Sequence, residues 1–351
     1  MIKLKELNLD VLEFERNNSS NQLLKLINYA DVVVHLAGEN RPNNLDHFIY
    51  SNVNLTEEIC DAIKVSGKKI PLIFTSSIQA SEENSYGRSK LAAEQLLLEL
   101  AEKEKIPVTI YRLPGVFGKW CRPNYNSVVA TFCYNIANNL PIVINDPNVN
   151  IRLVHIDDVL GALIDSLSQF KHGVQWGVIA PEYSLSVGEL AGQIIAFKEC
   201  KSTLVSERVG VGLTRALYST YISYLPSENF SYDLPLYRDE RGEFVEMLRT
   251  IDSGQFAYFT AHPGVTRGGH YHHTKVEKFL VIKGIALFKF RNIVTDAIYQ
   301  MSVQGGTPKV IQSIPGWTHE IKNTGLDELV VMLWVNEVFD RARPDTITCK
   351  V

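Results

Sequence analysis

Residues 70–90 read Ile70-Pro71-Leu72-Ile73-Phe74-Thr75-Ser76-Ser77-Ile78-Gln79-Ala80-Ser81-Glu82-Glu83-Asn84-Ser85-Tyr86-Gly87-Arg88-Ser89-Lys90. Ile70 to Thr75 is a short apolar run rich in branched and aromatic side chains, which predicts a buried strand. Ser77 then falls at the C-terminal end of that strand, where open parallel sheets bind their ligands. Tyr86 and Lys90 stand four apart at the start of the next helix and share a face. A free tyrosine titrates near about 10 and is a poor acid at neutral pH, but a nearby ammonium lowers that value. The expectation is that Lys90 lowers the Tyr86 pKa, Ser77 hydrogen-bonds a substrate carbonyl, and Tyr86 delivers the proton that accompanies hydride transfer. Such a trio makes a ketone reductase; the plainer alternative is an exposed helix pair.

Outward from this stretch, strands are expected at Asp10–Phe14, Asp31–Leu36 and Val108–Arg112, with helices at Asn21–Tyr29, Leu55–Ser66 and Ser89–Lys103. Short apolar runs alternating with helical patterns predict a parallel sheet covered by helices. Beyond Leu204 the texture changes. An aromatic segment, Tyr218 to Tyr237, leads into short strands parted by glycine turns, among them Phe279–Ile282, Ala286–Phe290 and Leu329–Trp334, the pattern of an antiparallel sandwich or barrel. The length of 351 residues suits two domains, placed at 1–235 and 236–351. A formal net charge of -4 offers no broad cationic surface for nucleic acid. Five scattered cysteines without a CxxC pair read as reduced thiols. Neither a signal-peptide core nor a run of about 18 apolar residues occurs, so no membrane association and a cytoplasmic address are expected.

The first half resembles the extended short-chain dehydrogenases, in which the tyrosine and lysine follow a strand ending in serine. Val34-His35-Leu36-Ala37-Gly38 resembles that family's fourth-strand motif, which places Leu36, Ala37 and Gly38 against the cofactor's adenine side. Asn52-Val53 matches its helix asparagine. Tyr111 to Gly118 matches the segment closing over the nicotinamide and puts Leu113, Pro114 and Val116 there. His155-Ile156-Asp157-Asp158-Val159 resembles a late aspartate motif of structural role. The family opens on a strand and a GxxGxxG turn that cradles the pyrophosphate. Here that first strand and turn are missing: Met1 to Leu7 reads as the end of the following helix and Asp10 to Phe14 as the second strand. Arg16 falls where the family meets the adenosine ribose, which implies NADP(H) as the cofactor.

In the second half, Gly264, His270, His272, Glu277 and Gly284 follow the spacing G-x5-HxH-x4-E-x6-G, and Pro315-Gly316-Trp317-Thr318-His319 with Asn323 supplies a second motif. In a strand, HxH puts both imidazoles on one face. The set His270, His272, Glu277 and His319 matches the cupin motifs and suits a divalent metal, with Zn expected and Fe, Mn or Ni compatible. His262 and His273 lie outside the spacing. Arg238 to Phe244 resembles the D-x-R-G-x-F segment of cupin epimerases acting on nucleotide-linked 4-keto-6-deoxy sugars, which makes Arg241 a substrate contact. Arg267 to Tyr271 resembles their active-site strand, whose histidine is a base. A nitrogen lone pair on a metal cannot also take a proton, and the complete ligand set favours His270 as a ligand. Lys275 is a candidate to stabilise an enolate or is a solvated lysine.

Taken together, a reductase of this type joined to an epimerase-like cupin, with the run Gly118 to Ser127 after the nicotinamide segment, resembles the bifunctional capsular-polysaccharide enzymes making UDP-N-acetyl-L-fucosamine precursors. The resemblance implies a Rossmann-like doubly wound parallel sheet plus a cupin jelly roll, and a homodimer. It further implies C3 epimerisation of a UDP-2-acetamido-2,6-dideoxy-4-hexulose, followed by NADPH-dependent reduction at C4. Asn124, Tyr125 and Asn126 are candidate sugar contacts or loop structure. Two alternatives stay open: a 4-ketoreductase with a purely structural cupin, and a non-catalytic sugar-nucleotide-binding protein.

Overall fold

A computed structural model describes residues 2–42, 44, 46–338, 340 and 342–351. The chain packs as two compact units, Met1–Gly192 with Ser219–Tyr224, and Gln193–Tyr218 with Leu225–Val351. The second unit thus takes in residues 193–218 and 225–235, ahead of the boundary expected at 235. One tie is the strand Val205–Ser206, which pairs in parallel with Arg249 and Thr250.

In the first unit, strands Val33–His35, Leu72–Ser77, Val108–Leu113 and Val174–Gly177 form a four-stranded sheet in that order, every pair parallel. Side chains alternate across a strand, so the central strands feed two cores at once. Leu72, Phe74, Val108 and Ile110 pack with Leu23, Ile27, Ile63 and Leu97 on one face, while Ile73 and Tyr111 pack with Val159 and Leu163 on the other. That double burial explains their continuous apolar runs. A second sheet of three strands, Gly115–Phe117, Asn150–His155 and Tyr183–Ser186, completes the unit.

The strand expected at Asp10–Phe14 is not formed. A strand exists only through a partner backbone. The sheet order leaves Val33–His35 on an edge, and residues 10–14 run without a ladder, although Phe14 still packs on the core. The helix end expected at Met1–Leu7 appears as Ile2–Glu6.

The second unit is all-β apart from its helical entry. One sheet runs in the order 310–312, 277–283, 329–335, 255–261, 242–250, 205–206, and the other 298–304, 285–292, 317–323, 266–271, 347–348. A shared apolar layer contains Phe259, Phe279, Val281 and Val331 from the first sheet and Phe288, Phe290 and Ile321 from the second, so the two stack as a sandwich. No helix among the described residues is long and apolar enough to cross a membrane, and the five cysteines are free.

Candidate functional sites, one in each unit

In the first unit the strand Leu72–Ser77 ends at Ser77, a short turn covers Ile78–Ser81, and the helix Ser85–Glu104 begins. Asn84 caps that helix, its side-chain oxygen accepting the Gly87 N–H at 2.8 Å. Gly87 is needed there because a Cβ would lie 2.1 Å from the Gln79 carbonyl oxygen. The close approach brings Tyr86 to Ser77. Burial raises the Tyr86 pKa, with its hydrogen bond to Ser77 working the other way. The expectation that Lys90 lowers this pKa is therefore corrected. Lys90 is buried, donates to the Thr75 carbonyl at 2.9 Å, lies over the Phe74 ring, and is itself depressed to about 8, by burial first and against the pull of Glu94. The phenol therefore keeps its proton at neutral pH, present for transfer but not made more acidic.

Asn52 organises the neighbouring wall. It is buried, lies in a π-helical passage, Ile49–Asn54, and donates to the Glu39 carbonyl and the Ser89 hydroxyl, both at 2.9 Å, while accepting the Glu39 N–H at 2.7 Å. π-Helical turns of this kind concentrate at functional sites. A Cβ on Gly38 would lie 3.1 Å from the Asn52 side-chain oxygen and 3.2 Å from the Lys90 Nζ, so a larger residue there would have to push both side chains aside by a few tenths of an ångström.

A cleft of about 480 Å³ brings together Ser77, Tyr86, Lys90, Leu36, Gly38, Leu113, Pro114, Val116, Tyr125 and Asn126. Ala37 and Arg16 do not line it; Arg16 stands largely in solvent, 3.5 Å from the Glu39 carboxylate. Asn124 turns its polar atoms to Thr131 and Asn135, at 3.0 and 3.3 Å, which is loop structure. Asp157 pairs with Lys119 at 2.9 Å. Sequence reasoning singled out neither Cys121 nor Arg122, which also line the cleft. Arg122 lies over the Tyr125 ring, and its place beside Tyr125 in the quoted run was the available signal.

In the second unit His270 is the last residue but one of the strand Thr266–Tyr271, His272 follows just past its end, Glu277 begins the strand Glu277–Lys283, and His319 lies in Trp317–Asn323. A bulge between Gly268 and His270 sets His270 opposite His319. Gly268 has φ +96°, and a Cβ there would lie 2.7 Å from the His319 carbonyl oxygen. Glu277 Oε2 lies 3.0 Å from His319 Nε2, 3.2 Å from His272 Nε2 and 3.9 Å from His270 Nε2. Burial would raise the Glu277 pKa, but the three imidazoles and Lys275 hold it far below the usual range. Burial lowers the His319 pKa against the attraction of Glu277.

These four residues fit a cation. One ligand atom from each lies within 4.8 Å of the others, and a tetrahedral zinc with its usual bond lengths spaces its ligands roughly 3.4 Å apart. The Nδ1 of His272 faces the Asp345 carbonyl oxygen, which can only accept, so Nδ1 carries the proton. Nε2 is therefore the His272 nitrogen that faces Glu277 Oε2, and it is the one that could ligate a cation shared with that carboxylate. His319 Nδ1 is buried and has no hydrogen-bond partner among the described residues. Lys275 Nζ stands 3.5 Å from Glu277 Oε1. Arg241 is spent on Asp239, its Nε 3.0 Å from Oδ2, and lowers that carboxyl's pKa to about 2. Asn323 is a structural clamp, donating to Ala261 and Asp327 carbonyls at 2.9 and 2.8 Å.

Known proteins align with both units. The family described as NAD dependent epimerase/dehydratase matches residues 4–179, and that described as polysaccharide biosynthesis C-terminal domain matches residues 237–347. A protein of Pseudomonas aeruginosa named UDP-2-acetamido-2,6-beta-L-arabino-hexul-4-ose reductase is 53% identical over 343 residues, 98% of this chain and 92% of that protein. The crystal structure of the capsular polysaccharide assembling protein CapF from Staphylococcus aureus is 39% identical, covers 100% of this chain and 96% of its own, and superposes with a TM-score of 0.89.

Proposed function

Because the chain belongs to the NAD dependent epimerase/dehydratase family, in a form carrying a polysaccharide biosynthesis C-terminal domain, we propose that it is a bifunctional nucleotide-sugar enzyme of capsule or O-antigen synthesis. Its substrate is a UDP-linked 2-acetamido-2,6-dideoxy-4-hexulose. The second unit, a cupin, epimerises C3, and the first reduces the C4 ketone with NADPH. The observation that carries the reading is the convergence of Ser77, Tyr86 and Lys90 in one cleft of a chain 53% identical to a UDP-hexulose reductase.

The apolar walls of Leu113, Pro114 and Val116 beside the Lys90 ammonium fit the nicotinamide riboside half of a dinucleotide. Arg16 is the cation offered to a 2′-phosphate. When bound, the nicotinamide supplies the hydride. Ser77 donates a hydrogen bond to the C4 carbonyl oxygen, and Tyr86 delivers its proton to the same oxygen. Lys90 holds the ribose and offsets the phenolate charge that Tyr86 then bears. Tyr125 and Asn126 contact the sugar.

In the second unit His270, His272, Glu277 and His319 would hold a divalent metal, zinc foremost, which would supply a Lewis acid for the same carbonyl. Lys275 would offset the negative charge that develops on that oxygen while the C3 proton passes to solvent water and a proton returns to the opposite face. The order is chemically forced: the ketone at C4 acidifies the C3 proton, and reducing that ketone ends the exchange.

The test uses the UDP-4-hexulose in deuterated buffer, without and then with NADPH. Deuterium uptake at C3 before NADPH, and NADPH oxidation with formation of the C4 alcohol after it, are expected. Reduction without C3 exchange would leave a 4-ketoreductase with a structural second unit. Absence of both activities and of NADPH binding by calorimetry would leave a sugar-nucleotide-binding protein.

A further inference from the structure

Asp345 sits against the histidine site of the second unit and uses two separate groups there. Its carboxylate accepts the backbone N–H of His273 at 2.9 Å, of Thr274 at 2.7 Å and of Lys275 at 2.8 Å, together with the Thr274 hydroxyl at 3.1 Å. These bonds close the turn between His272 and Glu277 around one anion. Burial opposes them, yet they hold the Asp345 carboxyl well below its usual range. Its main-chain carbonyl oxygen accepts the Nδ1–H of His272 from 73 positions away in sequence. The residues after it continue the contact: Thr346 Oγ1 lies 3.5 Å from Lys275 Nζ, and Ile347 and Thr348 pair with Tyr271 and His270.

We infer that Asp345 is a positioning residue for the metal centre, on which reading the inference rests. It touches neither metal nor substrate. A backbone carbonyl can only accept, so it fixes the His272 tautomer and leaves Nε2 free to ligate. The carboxylate, by gathering three successive amides, sets the turn that spaces His272 from Glu277 and carries Lys275 to the Glu277 carboxylate. One residue therefore orients two ligands and the neighbouring cation through different atoms.

The test titrates the purified, metal-free full chain with Co²⁺, whose visible absorption reports on coordination, in wild type, Asp345→Ala, Asp345→Asn and a control, Val303→Ala. Val303 belongs to the apolar layer of the same unit and is far from the turn in the ladder, so its truncation lowers stability without altering ligand orientation. Partners that orient metal ligands typically contribute about 10–100-fold in affinity, and Asp345→Ala is expected to lose that much. Asp345→Asn, which keeps one acceptor oxygen and the side-chain shape, is expected to lose less and serves if the alanine variant fails to fold. The inference is overturned if both Asp345 variants bind Co²⁺ as the wild type does, or if Val303→Ala loses as much affinity as they do. Absence of Co²⁺ binding by the wild type would remove the metal reading itself, and this inference with it.

Discussion

The reducing cleft of the first unit takes its three reactive side chains from one strand-turn-helix passage, Ser77 to Lys90. The histidine site of the second draws on three strands and the loop carrying His272, and its geometry depends on a bulge and on Asp345. The charges differ as well. The cleft surrounds a neutral phenol with a buried ammonium, an arrangement that gives up a proton to a ketone. The other site surrounds a carboxylate with imidazoles, an arrangement that holds a cation. The two candidate sites thus rest on opposite electrostatics and on local versus distant assembly.

The largest expected break in that comparison comes from Tyr86→Phe. The ring contact with Phe48 and the helix survive, but the proton is gone, and general acid catalysis is worth about 10²–10⁴-fold. A fall of that size in kcat for NADPH oxidation, with NADPH affinity unchanged and C3 exchange intact, is the expected result of steady-state kinetics and calorimetry. A loss of less than tenfold would show that the phenol is not the donor.

His319→Ala reverses the pattern. Removing a direct ligand should weaken metal affinity by more than the roughly 100-fold upper cost of an orienting partner and should abolish deuterium uptake at C3. Reduction of ketone that is already epimerised should continue. Metal content and proton NMR of the sugar check both halves. Uptake that persists at the wild-type rate would make the second unit structural.

What could be read from the sequence follows the same division. Ser77, Tyr86 and Lys90 were legible because strand end, cap and helix spacing place them with little help from distant chain. The four candidate ligands were picked out by their motif spacing, but the expectation that His270 and His272 share a strand face does not account for them, because the strand ends at Tyr271 and His272 lies in the loop beyond it. The sign of the Tyr86 pKa was not, because it depends on burial, which composition does not report. The strand at Asp10–Phe14 was misread because its residues have strand character while its partner does not exist in the ladder. Asn124 looked like a sugar contact beside Tyr125 and Asn126, but its positive φ of 53° turns it to the adjoining helix. Asp345 gave no signal, since its backbone carbonyl and its carboxylate both bond to groups 70 or more positions away, which spacing along the chain does not report.

The smallest effect sharpens the electrostatic side of the contrast through Lys90. Its pKa falls from 10.5 to about 8 on folding, chiefly through burial. Below about pH 8 the folded protein must keep an ammonium out of water, a penalty of about 3 kcal/mol for such a difference. Between about pH 8 and 10.5 the folded state releases this proton while the unfolded chain retains it, so the contribution of this group makes stability rise with pH across that window. Lys90→Met removes the charge and keeps most of the volume, but the Thr75 carbonyl loses its donor, which costs about 1–3 kcal/mol. The variant should therefore be more stable than the wild type by on the order of 1 kcal/mol at pH 7, and the two should converge and cross as pH rises toward 10. Paired urea unfolding curves at several pH values measure this difference while cancelling the other titrating groups. A gap that does not change with pH would mean that the lysine is not buried as an ammonium, and that the cleft's proton chemistry is set by some other charge.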